Sequence, residues 1–483
     1  MGTNYIHSVT SSTAPGPPIR VGSGLPFWAV IAAGSVITAL SLGVRSTFGL
    51  FLDPVIQSIG TGRGAFALAI AVQNLVWGLS QPVAGAIADR FGSGRVLAVG
   101  GLIYAAGMIL MSTASSSGTL FLSAGFIVGL GTGAASFAVV LAALGRIAPP
   151  ERRSMALGVA TAMGSVGQFL LVPTAQRIID GRGWETAAVV LGLILVAVLV
   201  FAPVLRGSAA DQSGPAATTA EPVPLRDELR RASYSPSYRL LNLAFFVCGF
   251  HVTFVATHLT SYAEDVGQTR GTAATALALI GLFNIFGSLA AGYLGARYSM
   301  TRLLSIIYAL RAVVFAGFIL VPPSGTSILV FGALIGVLWL STVPLTSGIV
   351  VSQFGTTHAG TLFGIVFLSH QVGAFGGAWL GGSLADRVGS YGPVWWIAVG
   401  LGVLAALVHL MIDDGPQPEA PVRSGLAPAP LGGMAAIALL VVSATALTLG
   451  PAAAAADTQP ELDGSGYDGP QAFICVLHPV QLD

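Results

Sequence analysis

The stretch Gly85-Ala-Ile-Ala-Asp89-Arg90-Phe-Gly92-Ser-Gly-Arg95 lies between two long apolar runs of the sequence. It gathers one acid and two arginines into a short segment, although only 8% of all residues are charged. Glycine accepts backbone conformations that other residues avoid, so these glycines favour a tight turn and a close approach of neighbouring backbones. The sequence therefore predicts a charged turn at a membrane surface, with a helix on each side.

The composition is that of a polytopic membrane protein. Hydrophobic residues make up 54% of the 483 residues, and the mean hydropathy is +0.81. The charged fraction of 8% is far below the roughly 25% of a soluble domain. The net charge of +1 argues against a nucleic-acid partner. Two cysteines, Cys248 and Cys475, are too few and too far apart for a disulfide framework or a metal site. The chain has no lysine and therefore no Walker-type phosphate loop, and no nucleophile constellation, which argues against an enzyme or a cofactor.

Twelve apolar runs are long enough to cross a membrane as helices, and they predict an all-α membrane protein of two six-helix bundles. They cover residues 27–52, 64–88, 95–113, 119–145, 154–179, 185–205, 238–263, 271–296, 302–321, 327–354, 358–384 and 392–412. The predicted domains are a disordered cytosolic arm (1–25), an N-terminal bundle (26–206), a cytosolic linker with one short amphipathic helix (207–237), a C-terminal bundle (238–413) and a tail (414–483).

Arginine placement predicts the orientation. Most arginines fall in loops on the same side as the N-terminus, which places both ends of the twelve-helix core in the cytosol and predicts a multi-pass protein of the cytoplasmic (inner) membrane. On the outer side, Asp386 is interpreted as the charged end of the eleventh helix. In the tail, residues 431–450 are apolar and uncharged, which indicates either a thirteenth helix or a fused remnant of a secretory signal.

Ionisable side chains inside a bilayer are costly and are therefore functional candidates. The sharpest is Arg45 on the first helix, which ends a polar stripe formed by Ser35, Thr38 and Ser41 at three- and four-residue spacing. A guanidinium can hold a carboxylate through two parallel hydrogen bonds, so this stripe predicts an anion-binding cavity wall. The alternatives are snorkelling to the outer headgroups or a pair with Asp53.

Further candidates lie on later helices. Thr161, Ser165 and Gln168 form a stripe on the fifth helix that either lines the cavity or packs against a neighbouring helix. Asn284 on the eighth helix and His370 and Gln371 on the eleventh are central polar residues and further candidates for substrate binding. Three residues are candidates for coupling: His251, His370 and Arg311. A histidine changes charge near neutral pH, yet it also serves as a neutral hydrogen-bonding group, and Arg311 has the alternative of bonding to nearby carbonyls.

The quoted loop resembles the signature between helices 2 and 3 of the major facilitator superfamily, Gly-x-x-x-Asp-Arg-x-Gly followed by a basic residue. The resemblance implies a conformational role for Gly85, Asp89, Arg90, Gly92 and Arg95. A second copy belongs at the end of the eighth helix, where Gly292-Tyr-Leu-Gly-Ala-Arg297 has lost the acid.

Within that superfamily, residues 25–413 look most like the monocarboxylate porter branch and its uncharacterised bacterial relatives. The specific pieces are Gly43-Val-Arg45-Ser-Thr-Phe-Gly-Leu-Phe51, the signature loop, Gly181-Arg-Gly-Trp184 and Gly364-Ile-Val-Phe-Leu-Ser-His-Gln-Val-Gly373. The resemblance implies that the basic residue at Arg45 engages the substrate carboxylate. The branch carries an Asp and, four residues on, an Arg on its eighth helix. Asn284 and Ser288 stand there in this chain, which argues against proton symport by such a pair.

These observations predict a secondary active transporter that works by alternating access and moves a small organic anion such as a monocarboxylate. Its expected partners are that small molecule, the lipid bilayer and, as a further candidate, protons. Two other functions remain open on the sequence: an exporter of an apolar metabolite or drug, and a non-transporting membrane receptor or scaffold.

Overall fold

The computed structural model describes residues 26–147, 150–206, 224–355, 358–413 and 415. These residues fold into helices joined by short turns, which confirms the predicted all-α membrane fold. The predicted cytosolic arm, 1–25, and the apolar tail segment, 431–450, lie outside the described residues.

The described residues of the N-terminal half form nine α-helices. They are α1 (Phe27–Arg45), α2 (Phe48–Ile59), α3 (Arg63–Phe91), α4 (Ser93–Met111), α5 (Ser117–Leu120), α6 (Val128–Ala134), α7 (Phe137–Ile147), α8 (Pro150–Val196) and α9 (Val198–Phe201). A π-helical stretch, Phe121–Ile127, joins α5 to α6, and a 3₁₀ helix, Ala202–Leu205, follows α9.

The C-terminal half follows a short helix, α10 (Leu225–Tyr234), which lies within the predicted linker. Its remaining helices are α11 (Pro236–Asp265), α12 (Arg270–Gly295), α13 (Met300–Leu320), α14 (Gly325–Leu338), α15 (Thr342–Phe354), α16 (Ala359–Val388) and α17 (Gly392–Leu410).

Eleven helical stretches of the described residues are long and apolar enough to cross a membrane. The longest, Met155–Leu205, contains Gly183, whose φ of 85° and ψ of 161° interrupt α8. Glycine tolerates this backbone because it has no Cβ. The interruption divides the stretch at the boundary expected between 154–179 and 185–205, so the structure accommodates the twelve predicted helices.

Some predicted helices are broken rather than continuous, among them 27–52, 327–354 and 119–145, where residues 135–136 separate α6 from α7. Residues 46–47 separate α1 from α2, and residues 339–341 separate α14 from α15. In the second case Pro344 offers no N–H to the carbonyl four residues earlier, and its ring crowds that carbonyl. The periodicity of apolar residues continues through the break, which is why the sequence predicts one helix.

Each half has its own hydrophobic core. In the N-terminal half, Ile37 and Leu144 are fully buried among side chains of α1, α3, α4, α7 and α8. In the C-terminal half, Leu241 and Tyr308 are fully buried among side chains of α11, α13, α15, α16 and α17. Each half therefore buries a hydrophobic cluster of its own, and the two halves meet along one face.

That face, called the seam here, is formed mainly by α3 against α16 and by α8 against α12, with α2 against α11. One end of the seam carries the loop before Arg63 and the end of α16, and it is the predicted outer end. Four glycines toward this end or in the middle lack room for a Cβ: Gly62, Gly78, Gly281 and Gly382.

Toward the predicted inner end the same four helices separate. Among the described atoms, nothing lies within 4 Å of the position that a Cβ would take at Gly85 of α3, Gly158 of α8, Gly292 of α12 or Gly364 of α16. Gly158 lies about two turns before Ser165 on α8, and Gly292 lies about three turns after Gly281 on α12, so both share the seam-facing side of their helices. The seam is therefore closed at the predicted outer end and open at the predicted inner end.

Candidate functional site

Arg45 ends α1 beside the middle of α3. Its Nη2 donates a hydrogen bond to Oδ1 of Asn74 at 2.7 Å, and Asn74 in turn donates to the carbonyl of Ile70 at 2.7 Å. The guanidinium carbon lies 5.9 Å from the ring centroid of Phe48 and 6.0 Å from that of Trp77. These distances are within the range of cation–π attraction, so neutral groups hold the half-buried cation in place.

The charge of Arg45 has no counter-charge among the described residues: none of their carboxylates lies within 4.0 Å. Its Nε is buried without a hydrogen-bond partner. The alternative of a pair with Asp53 is wrong, because Asp53 accepts a hydrogen bond from Ser261 and lies 3.5 Å from Arg63. An unneutralised guanidinium with free donors can bind an anion.

An aromatic row crosses the seam next to Arg45. The rings of Trp77 and Phe367 meet edge to face at 5.4 Å, and Phe367 lies nearly parallel to His370, with centroids 5.5 Å apart and planes 7° apart. His370 also lies 5.0 Å from Phe245. Trp77 is fixed by a 3.0 Å hydrogen bond from its Nε1 to Gln81 Oε1. The row therefore joins α3 of one half to α16 of the other.

Sequence reasoning missed Asn74, Trp77 and Phe367. The available signal was the series Asn74, Gly78, Gln81 and Gly85, which places polar and small residues on one face of α3 at helical spacing. No sequence pattern indicates Phe367, because one aromatic residue in an apolar helix does not stand out from its neighbours.

One buried polar group on this row and another on α1 lack hydrogen-bond partners. Gln371 is fully buried, and its Oε1 lies 3.1 Å from Nδ1 of His370 while its Nε2 has no hydrogen-bond partner. Ser41, one helical turn before Arg45, is 2% exposed and its hydroxyl also has no partner. Buried polar groups are nearly always hydrogen-bonded, so unpaired donors in a membrane helix indicate a place for a bound molecule or water.

The threonines of the two predicted stripes bond within their own helices. Thr38 is fully buried and donates to the carbonyl of Gly34 at 2.9 Å. Its methyl group packs toward Gly164 of α8. Thr161 donates to the carbonyl of Leu157 at 2.7 Å. Thr38 thus lies in the packing between α1 and α8, apart from the Arg45 cation.

The other members of the fifth-helix stripe join the two halves. Nδ2 of Asn284 donates to Oγ of Ser165 at 2.8 Å, and Nε2 of Gln168 donates to the carbonyl of Leu277 at 2.8 Å. Oδ1 of Asn284 accepts from the N–H of Leu340, at 2.8 Å, inside the break between α14 and α15. These residues hold the seam at mid-height in this conformation.

Arg311 and His251 lie in the interior of the C-terminal half. Arg311 is 1% exposed and donates to the carbonyls of Leu338, at 2.6 Å, and Trp339, which end α14. Nε2 of His251 lies 2.8 Å from the carbonyl of Ala398. Arg311 thus makes the bonds to nearby carbonyls that were expected if its role is structural. Its donors satisfy the carbonyls left unpaired where the break at 339–341 ends α14.

The predicted outer end of the seam is held by polar contacts between the halves. Arg63 of α3 places Nη1 and Nη2 each 2.6 Å from a carboxylate oxygen of Asp265 of α11. Asp386 of α16 accepts from the backbone N–H groups of Arg63, at 3.1 Å, and Gly64, at 2.6 Å. Tyr391 lies over the Arg63 cation at 5.5 Å, and burial raises the pKa of its hydroxyl.

The interpretation of Asp386 as a charge that serves its own helix end is wrong. Gly389, with a φ of 71°, closes α16 through its own backbone. The Asp386 carboxylate instead caps α3, whose preceding residue, Gly62, has no side chain to do so. The capping residue therefore comes from the opposite half of the protein.

The signature loop lies at the predicted inner end, between α3 and α4. Gly92 has a φ of 95°, a conformation that favours glycine, and it separates the two helices. Nη1 of Arg95 donates to the carbonyl of Phe91 at 3.2 Å. Arg90 is exposed, and its guanidinium lies 5.2 Å from the centroid of the Phe91 ring. The side chain of Asp89 lies outside the described residues, so its role stays a prediction.

The described residues contain no group of three or more His, Cys, Asp or Glu side chains that could hold a metal ion. Around Arg45 and at mid-height of the seam, the polar groups are a guanidinium, amides, hydroxyls and an imidazole. Two helical halves that meet at such a seam, open at one end, define a membrane transporter.

A family model described as Major Facilitator Superfamily matches residues 34–378. The chain belongs to this superfamily. It is 26% identical over 390 residues to monocarboxylate transporter 13 of Rattus norvegicus, across 79% of this chain and 89% of that protein. It is 24% identical over 395 residues to the uncharacterised MFS-type transporter YcxA of Bacillus subtilis (strain 168), across 80% and 94%.

Among solved structures, the D-xylose-proton symporter aligns with a TM-score of 0.66 at 14% identity, covering 80% of this chain and 98% of that one. At this identity the likeness concerns the fold alone. The resemblance to the superfamily and to its monocarboxylate branch, inferred from the signature loop and the Arg45 segment, is confirmed.

Proposed function

We propose that this protein moves a small organic anion, a monocarboxylate, across the cytoplasmic membrane by alternating access. The observation that carries the proposal is Arg45, a half-buried cation near the seam with no described carboxylate partner and an unpaired Nε. A charge inside a membrane helix is expensive to maintain. A substrate carboxylate would supply the missing counter-charge and accept from the free donors.

The asymmetry of the seam supports alternating access. Polar contacts join the halves at the predicted outer end, whereas the four seam helices separate around Gly85, Gly158, Gly292 and Gly364. Two separately packed bodies can rock about the contacts at mid-height, so that the same site faces each side in turn. In this arrangement a molecule at Arg45 would exchange with the predicted inner side.

Relatives point to the same class of substrate. One of them is monocarboxylate transporter 13, and the superfamily model matches a range, residues 34–378, that includes Arg45. Arg45 has the planar guanidinium that suits bidentate binding of a carboxylate.

The experiment compares wild type, Arg45→Lys and Arg45→Gln in proteoliposomes at matched expression, with a panel of labelled organic anions. A buried carboxylate left unpaired costs about 3–5 kcal/mol, which is about two to four decades in affinity. We therefore expect Arg45→Gln to lose affinity on that scale and Arg45→Lys to lose less. Arg182→Gln, which changes an exposed arginine of α8 directly before the Gly183 interruption, is the matched control.

Equal affinity of wild type and Arg45→Gln would remove Arg45 from the site and with it the argument for an organic anion. The same assay with an imposed pH gradient tests coupling. We propose His370 as the coupling residue, because its imidazole lies at the seam, on the aromatic row beside Gln371. His370→Gln would then abolish stimulation by the gradient while leaving exchange of substrate intact.

A further inference from the structure

We propose that the anion bound at Arg45 is an aromatic carboxylate, whose ring lies against Trp77 and Phe367. This inference rests on the proposed function and narrows its substrate class. The Arg45 cation would bind the carboxylate of the substrate, and the rings of Trp77 and Phe367 would contact its aromatic ring.

The first argument is the arrangement of rings around the cation. Arg45 has an aromatic ring on two sides, Phe48 at 5.9 Å and Trp77 at 6.0 Å, and Trp77 leads at 5.4 Å to Phe367. A carboxylate that reaches the guanidinium brings whatever carries it within a few ångströms of these rings. Aromatic rings prefer offset or edge-to-face neighbours, which another aromatic ring can provide and an alkyl chain cannot.

The second argument is that the rings retain uncovered surface on the open side of the seam. Trp77 and Phe367 are only partly buried, unlike Phe48, which is 1% exposed. Gly364 precedes Phe367 by about one helical turn and Gly85 follows Trp77 by about two, and both have open space where a side chain would begin. A ring entering from the predicted inner end therefore meets Trp77 and Phe367 directly.

The third argument is the set of unpaired donors on Arg45, on α1 one turn before it, and on the row. Nε of Arg45, Nε2 of Gln371 and the hydroxyl of Ser41 are buried and without partners. These groups offer hydrogen bonds to oxygen acceptors, so the site combines acceptor recognition with aromatic surface. An apolar compound without oxygens would leave all three donors unpaired, which is costly in a membrane interior.

The test measures binding of three carboxylates to the purified full-length protein by isothermal titration calorimetry. Benzoate is the aromatic probe, cyclohexanecarboxylate has a similar apolar bulk without a π-face, and acetate has the carboxylate alone. We expect benzoate to bind about fivefold more tightly than cyclohexanecarboxylate and at least about tenfold more tightly than acetate.

Variants separate contact from general damage. Trp77→Leu should weaken benzoate about fivefold and leave acetate unchanged. Trp396→Leu, which alters a tryptophan that is 50% exposed on α17, is the matched control and should bind all three carboxylates as wild type does.

The outcomes distinguish this inference from the proposed function. If cyclohexanecarboxylate or acetate binds as tightly as benzoate, or if Trp77→Leu weakens benzoate and acetate equally, the aromatic preference is overturned while anion binding stands. If none of the three carboxylates binds, both proposals fail together. Binding of benzoate that survives Arg45→Gln unchanged would also overturn both, since the carboxylate would then not be held at Arg45.

Discussion

Asp386→Ala is expected to open the seam at the predicted outer end. The Asp386 carboxylate is the acceptor that α16 offers to the first two N–H groups of α3, at Arg63 and Gly64. Gly62 cannot replace it, because it has no side chain. The contact exists only while the two halves are closed at this end, so its loss weakens the closed arrangement selectively.

The size of the effect follows from the chemistry of helix caps. Replacing a capping Asp by Ala costs about 1 kcal/mol, within a range of about 0.5–2 kcal/mol. By the relation of about 1.4 kcal/mol per tenfold change, the ratio of outward-open to inward-open molecules should rise about fivefold, within limits of about twofold and thirtyfold. Asp386 is exposed, which favours the lower part of this range. The Arg63–Asp265 pair remains and keeps the protein from opening completely.

The assay uses a cysteine that the closed seam hides. Ala67 of α3 is fully buried and faces Gly382 of α16. Ala67→Cys is introduced into a chain that carries Cys475→Ser, and labelling by a membrane-impermeant maleimide is timed from the predicted outer side. The labelling rate should rise about fivefold when Asp386 is replaced. Asp180→Ala is the control, because Asp180 bonds to Gln176 within α8 and does not cross the seam.

An unchanged labelling rate in a folded Asp386→Ala protein would refute the reasoning, since the trans cap would then contribute nothing to closure. An equal rise in the Asp180→Ala control would refute it as well, because the effect would then come from charge at the membrane surface. Asp386→Asn serves as an internal calibration, since Asn caps helices about as well as Asp and should change the rate little.

Three further outcomes are expected. Gly62→Ser adds a cap within α3 itself and crowds the Asp386 carboxylate, so the same maleimide assay should report faster labelling; slower labelling would contradict this. Arg311→Gln should lower the melting temperature of the detergent-solubilised protein, since hydrogen bonds from a charged group contribute about 1.5–3 kcal/mol each, and an unchanged melting temperature would show that the carbonyls at the break need no cation. Gly373→Ala should abolish folded protein in size-exclusion chromatography, because a Cβ there overlaps the carbonyl oxygen of Phe246. Gly376→Ala meets only ordinary contacts and should elute as wild type. Equal elution of the two variants would overturn the packing argument.

The candidate site was only partly predictable from the sequence. Arg45 could be singled out because a charge in an apolar helix is rare and costly, and no structure is needed to see it. Its surroundings could not, because Asn74, Trp77 and Phe367 come from other helices. The choice between an anion site and a pair with Asp53 depended on where Asp53 points, and that is decided by Ser261 and Arg63.

The sequence by itself determined the membrane class and the positions of the apolar segments that form helices. Those features follow from the lengths of apolar runs and from the Gly-rich charged turn at 85–95, both of which act locally along the chain. The end of α14 is an intermediate case. Pro344, a cause of the break, can be seen in the sequence, but the groups that hydrogen-bond the backbone at the break, Arg311 and Asn284, lie on other helices.

The tertiary structure alone decided how the two halves meet. Asp386 and Gly64 are 322 residues apart, and Ser165 and Asn284 are 119 apart. The helices that carry these residues would form in the same way whether or not the distant partner were present. Hydropathy and helical periodicity describe how one helix buries its surface, but they carry no information about which distant backbone group a carboxylate or amide will find. The closed outer end, the open inner end and the aromatic row between them are therefore properties of the assembled bundles.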